Sequence, residues 1–166
     1  MKINGVAHVI LRVTRFDECV AFYDQLMPEL GLTSVHRSPY LAYYVGGRTA
    51  FGIRPPDADH ADHEHIEQAP GIEHLCFRAR SREDVDAVHR FVVDELHGHI
   101  VHPPEDGGFA PGYYSVLFED PDGIRIEVNH VPGKGHFGPE GRLGAEGEGP
   151  SSVYADSGLS DEPEKK

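Results

Sequence analysis

Gly71-Ile72-Glu73-His74-Leu75-Cys76-Phe77-Arg78 nearly repeats Gly5-Val6-Ala7-His8-Val9-Ile10-Leu11-Arg12. In both stretches a glycine leads, a histidine follows three places later, and an arginine closes four places beyond. The residues between histidine and arginine are nearly all apolar. Two matching strands imply two matching half-domains, and a self-similarity of this kind outranks any local reading of either copy. A histidine at the same place in both copies implies a site where the halves meet.

The pattern extends outward from each copy. In the first, residues 6–13 read as a strand. Thr14-Arg15-Phe16-Asp17 has the form of a capping box, and Phe16, Val20, Tyr23, Met27 and Leu30 follow at helical spacing up to Gly31. Thr33–His36, Leu41–Val45 and Thr49–Ile53 read as three short strands, with Gly46-Gly47 as a hairpin signal. In the second copy, residues 72–79 form the strand and Ser81-Arg82-Glu83-Asp84 the capping box. Val85, Val88, Val92 and Leu96 share one helical face, and Gly98 ends that helix. His99–His102, Tyr113–Phe118 and Ile124–Asn129 are the remaining strands. Asp120-Pro121-Asp122-Gly123 makes the last tight turn, because proline presets the turn and glycine permits positive φ.

The order is β-α-β-β-β twice. The expected fold is therefore α+β: two tandem modules forming a cup-shaped mixed sheet with helices outside. The modules span residues 1–54 and 71–131. Between them lies a polar, proline-flanked, histidine-rich linker (55–70). Beyond it, residues 132–166 are an acidic, Gly-rich tail too poor in apolar side chains to offset its ordering entropy, so disorder is expected there.

The 166 residues suffice for two small modules with a joint core. A net charge of −13 speaks against nucleic acid and anionic membrane surfaces as partners. Cys19 and Cys76 make no disulfide framework, and no stretch has the roughly 20 apolar residues of a membrane span. A cytoplasmic protein with a small-molecule substrate is expected.

Side chains alternate along a strand. His8, Ile10 and Arg12 share one face, His74, Cys76 and Arg78 the matching face, and Arg125, Glu127 and Asn129 that of the last strand. His8, His74 and Glu127 therefore project from the concave side of strands that are otherwise well patterned. Two imidazoles and a carboxylate suit a divalent first-row metal (Fe, Mn, Zn or Ni) and leave positions open for water or substrate.

The two modules, each opening on a strand histidine, resemble the vicinal oxygen chelate superfamily. So does the block Phe118-Glu119-Asp120-Pro121-Asp122-Gly123-Ile124-Arg125-Ile126-Glu127. That superfamily includes glyoxalase I, bleomycin- and fosfomycin-resistance proteins and extradiol dioxygenases. The resemblance implies metal ligands on the first and last strand of each module. Carried over, these are His8, His74 and Glu127. The fourth place falls near Phe51-Gly52, where no side chain can ligate. This departs from the four-ligand glyoxalase I pattern and resembles the three-ligand dioxygenases and thiol transferases. The resemblance also implies a homodimer, with ligands in some members drawn from two chains.

By the same alignment Tyr113, Ser115 and Leu117 face the site. Tyr113 and Ser115 are candidate hydrogen-bonding or acid groups, and Glu127 is a candidate base as well as a ligand. Cys76 reads as a small buried thiol, and Arg12 and Arg78 as structural ion-pairing residues. Arg125 is a candidate partner for a substrate carboxylate. His36 and His102 are candidate acid–base groups, and the histidines of the linker read as solvated. The alternative is a metal-free protein that sequesters a planar drug, as in the bleomycin-resistance branch, with Tyr43, Tyr44 and Tyr113 as stacking surface.

Overall fold

Each alternating segment of the repeat forms a strand, and each amphipathic one a helix. The computed structural model describes residues 5–47 and 49–132. The tail expected to be disordered lies outside the described residues from 133 onward. The first module runs β1 (His8–Arg12), α1 (Phe16–Glu29), β2 (Thr33–Ser38), β3 (Leu41–Gly46) and β4 (Thr49–Arg54). A short 3-10 turn (Ala58–His60) sits in the linker. The second module runs β5 (His74–Arg78), α2 (Arg82–Asp94), β6 (His99–Asp106), β7 (Tyr114–Glu119) and β8 (Arg125–His130).

Each module makes one four-stranded mixed sheet, in the orders β1-β4-β3-β2 and β5-β8-β7-β6. The first strand pairs parallel with the last, and the other pairings are antiparallel. A parallel pair needs a long crossover, which the helix and two strands between supply. β6 carries Pro103 and Pro104 and runs longer than its sequence suggests. It is an edge strand with register shifts, where a missing N–H is tolerated.

One hydrophobic core serves both modules. Leu11, Val13, Tyr23, Leu26, Met27, Tyr44, Phe51 and Ile53 from the first join Val85, Val92, Val116, Phe118 and Ile126 from the second. Aromatic edges cross the junction: Phe51 meets Phe77 at 6.0 Å between centroids, and Phe22 meets Phe118 at 6.5 Å. Neither module closes its core alone. Each fully buried side chain of this size contributes roughly 1.5–3 kcal/mol.

The two helix starts behave differently. Ser81 forms the expected capping box, with Asp84 N–H donating to its hydroxyl at 3.2 Å and the Ser81 N–H donating to Asp84 at 3.1 Å. The box expected at Thr14–Asp17 does not form, and α1 has no local side-chain cap. Its first donors instead go to the other module: Thr14 N–H and Arg15 N–H donate to the two Asp122 oxygens at 2.8 and 2.9 Å. The Thr14 hydroxyl is turned away from the helix and donates to the His63 carbonyl at 2.6 Å, while a carboxylate at the positive end of the helix holds the two amides before it. Asp122 is aimed there by the turn it belongs to. Gly123 takes φ +83°, and Asp120 accepts from the amides of Asp122 and Ile124 at 2.9 Å each.

At the far end of α2 the left-handed residue is His97 (φ 50°) rather than Gly98. The linker is fastened to the first module by Arg12, which donates to the Pro55 carbonyl at 2.7 Å and pairs with Asp57 at 3.3 Å. Among the described residues no helix is long and apolar enough to cross a membrane.

Candidate functional site

The pairing registers fix which positions of the two sheets are equivalent. His8 pairs with Ala50 and Ile10 with Gly52, as His74 pairs with Arg125 and Cys76 with Glu127. Gly52 is therefore the first-module counterpart of Glu127. On the neighbouring strands Gly52 faces Tyr43 and Glu127 faces Leu117, and beyond these lie His36 and His102. The repeat thus extends to a second pair of histidines, offset by the same 66 residues as His8 and His74, on edge strands that both carry bulges.

His74 and Glu127 come together. His74 Nε2 lies 3.2 Å from Glu127 Oε2. The other ring nitrogen meets the carboxylate of Glu73, which stands just before β5 and so escapes the strand's alternation. Tyr113, immediately before β7, is buried and donates its hydroxyl to Glu127 Oε1. Ser115 and Cys76 lie near enough to lower the pKa of the same carboxylate further, as Asn129 does that of the Tyr113 phenol. Cys76 is an exposed residue rather than the buried one expected, and its thiol donates to the Phe77 carbonyl at 3.7 Å. Glu73 and Asn129 had no assigned role in the sequence. The alternation that places Asn129 beside Glu127 was its one visible signal.

These contacts set the charges. Burial alone would raise the Glu127 carboxyl, but donors from His74, Tyr113, Ser115 and Cys76 outweigh it and hold the group below its ordinary range. Glu127 is an anion. Its hydrogen bond raises His74 to about 9 against the cost of burial, with Glu73 adding to the effect. Burial is the largest cause pushing the Tyr113 phenol well up, with Glu127 adding to it and Asn129 offsetting part. Burial also raises the Cys76 thiol, as does the Glu127 charge. Both groups stay protonated and act as donors.

Two atoms ligating the same first-row ion at about 2.0–2.2 Å lie roughly 3.0–3.5 Å apart. The 3.2 Å between His74 Nε2 and Glu127 Oε2 fits that spacing. The pair has the chemistry and the spacing of half a metal site. His8 does not complete it within one chain: among the described residues no group of three or more His, Cys, Asp and Glu side chains is placed to hold a metal. His8 lies exposed on the first sheet, edge-on to the Tyr43 ring at 6.4 Å between centroids.

The fourth ligand place is closed by packing as well as by residue type. A Cβ on Gly52 would come within 2.8 Å of Tyr43 Cδ2 and 3.2 Å of the Ala42 carbonyl oxygen. Tyr43 lies flat where a carboxylate side chain would stand. Tyr44, expected among the cleft aromatics, points the other way. It is fully buried on the helix side, with its hydroxyl 3.0 Å from Asp24 and accepting from Arg37 at 3.1 Å. Arg78 donates to the Val131 carbonyl at 2.5 Å, away from the His74–Glu127 pair.

Comparison with known proteins matches the fold. A candidate glyoxalase from Bacillus halodurans superposes with a TM-score of 0.67 at 28% identity, covering 77% of this chain and 96% of that one. A glyoxalase/bleomycin resistance protein from Albidiferax ferrireducens gives 0.58 at 28% identity, over 75% and 98% of the two chains. Lactoylglutathione lyase from Agrobacterium tumefaciens gives 0.58 at 24% identity, over 78% and 96%, a likeness of fold alone. No curated protein matches the chain. Residues 5–128 match the family model of the Glyoxalase/Bleomycin resistance protein/Dioxygenase superfamily, and the chain belongs to that superfamily.

Proposed function

We propose that this protein is a metal-dependent vicinal oxygen chelate enzyme acting on a small substrate with two neighbouring oxygens. Its ligands are His74 and Glu127 of one protomer and His8 of a second, in a homodimer. One observation carries the reading: His74 Nε2 and Glu127 Oε2 converge at 3.2 Å while Tyr113 holds the other carboxylate oxygen. The absence of a third ligand among the described residues of one chain, and the exposure of His8, support a site shared between two copies.

Held by His74 and Glu127 with the second protomer's His8, a divalent Fe, Mn, Zn or Ni ion would supply Lewis acidity toward the substrate oxygens. The chain's own groups prepare for it. Tyr113 anchors Glu127 Oε1, which leaves Oε2 turned toward His74. Glu73 holds His74 Nδ1, so that Nε2 is the nitrogen that gives up its proton on ligation. Tyr113 and Ser115 act through Glu127, as positioning residues. With Gly52 and Tyr43 at the fourth place, the three-ligand chemistries (oxygenation, elimination or thiol addition) fit better than glyoxalase I isomerisation.

Metal analysis of mixed dimers tests this. His8→Ala and Glu127→Ala homodimers each lose bound metal. Co-expressed, they regain about a quarter of the wild-type sites, since half the dimers are mixed and each mixed dimer keeps one intact site. No recovery on mixing refutes the shared site. Full metal content in a His8→Ala, His74→Ala, Glu127→Ala variant refutes metal binding at these residues, and wild-type protein purified without chelator that carries no metal favours the metal-free binding protein instead.

A further inference from the structure

The row of side chains that includes His74 differs in kind from its first-module counterpart. Thr33, Val45, Ala50 and His8 form that row in the first sheet, and His99, Glu119, Arg125 and His74 form it in the second. A sheet that needed only packing there is served by small and apolar residues, as the first module shows. The second module places a guanidinium beside the proposed ligand His74.

Arg125 is held by two carboxylates of different standing. Glu119 belongs to the adjacent strand, lies 3.6 Å from Arg125 Nε, and is itself fixed by His99 at 2.9 Å. Glu67 comes from the linker, in the turn closed by the Ala69 N–H on the Ile66 carbonyl, and takes Arg125 Nη1 at 3.0 Å. Both side chains of that second pair are about three-quarters covered, at 26% and 25% exposure. Arg125 Nε is shielded from solvent with no hydrogen-bond partner among the described residues. One carboxylate is thus built into the sheet, and the other is borrowed from a segment without strand or helix hydrogen bonds.

We propose that Arg125 receives the carboxylate of an anionic substrate, and that Glu67 is an internal stand-in which the substrate displaces. This rests on the metal-site reading only for what lies next door: the vicinal oxygens would sit at His74 and the carboxylate one strand away. A planar guanidinium offers paired donors to a carboxylate, so the exchange swaps like for like without stranding a charge.

The test uses metal-free protein first, with benzoate as probe and neutral benzamide as control, read by the 15N resonance of Arg125 Nε–H. Benzoate shifts that resonance and benzamide does not. Glu67→Gln tightens benzoate binding about two- to fivefold, the scale of one partly exposed ion pair released from competition. Arg125→Gln abolishes binding, and Arg125→Lys, which keeps the charge and the fold, retains part of it. Unchanged or weakened benzoate binding in Glu67→Gln, or benzoate binding that survives in Arg125→Gln, overturns the proposal and makes the pair a tether for the linker. On metal-loaded protein, 3,4-dihydroxybenzoate then outbinds catechol in the wild type, and the two bind alike in Arg125→Gln. A preference for dihydroxybenzoate that persists in Arg125→Gln also overturns it. A protein that binds benzoate as described but takes up no metal refutes the metal reading and leaves the anion site standing.

Discussion

The hydroxyl of Tyr23, on the first helix, donates to Asp120 in the last turn of the second module at 2.7 Å, and both residues are buried. Burial raises the Asp120 carboxyl, and the bonds from Tyr23, Ile124 and Asp122 pull it back. Tyr23→Phe removes one of those donors and leaves a buried carboxylate short of a partner. The expected loss is about 1–3 kcal/mol, measured by urea denaturation. A loss too small to detect shows that the bond contributes nothing net.

Asp122 joins the modules at the backbone of Thr14 and Arg15. Asp122→Ala should cost about 0.5–2 kcal/mol. Asn, which keeps one acceptor oxygen, should cost less. Hydrogen exchange locates the effect: the first turn of α1 loses protection, and α2, capped by its own Ser81, does not. Equal loss in both helices shows a general destabilisation instead.

The His74–Glu127 pair predicts how the metal-free protein responds to alkali. His74 is raised from 6.5 to about 9 by Glu127 and Glu73. A group raised on folding stabilises fully below its unfolded value, and the stabilisation fades as pH climbs through the folded one. The melting temperature of metal-free protein should therefore fall between about pH 6.5 and 9, and His74→Gln should flatten that slope. Because the ring is 37% exposed, solvent screening keeps the effect under about 1 kcal/mol. Metal uptake near neutrality should release about one proton, visible as a buffer-dependent binding enthalpy.

Gly52 and Tyr43 form a matched pair. Gly52→Ala drives a methyl into the Tyr43 ring and should cost about 1–3 kcal/mol. Tyr43→Ala should recover much of that loss, so the two changes are strongly non-additive in a double-mutant cycle. Additive effects would mean that the ring moves aside freely.

The fold was legible because it is local twice over. Alternation, helical spacing and the Asp-Pro-Asp-Gly turn each act within a few residues, and Ser81 caps α2 as its neighbours foretell. What could not be read was competition across the chain. Thr14 has the form of a cap, but its hydroxyl goes to the His63 carbonyl of the linker and its amide to Asp122 of the second module. Tyr43 and Tyr44 were both expected in the cleft, but neighbours on a strand face opposite ways, and Tyr44 takes the helix side, where Asp24 and Arg37 meet its hydroxyl. The pairing of His74 with Glu127 followed from faces and register. The separation of His8 from them did not, because strand patterns say which way a side chain points and not which sheet stands opposite.

The cap on α1 also sets an order of events. Its acceptor lies 108 residues downstream of Thr14. A chain made from its N-terminus exposes the first helix long before the carboxylate that finishes it, while α2 carries its own cap from the moment it emerges. The helix made first is thus the one completed last, and a nascent chain halted before residue 122 leaves it with open amides at its start.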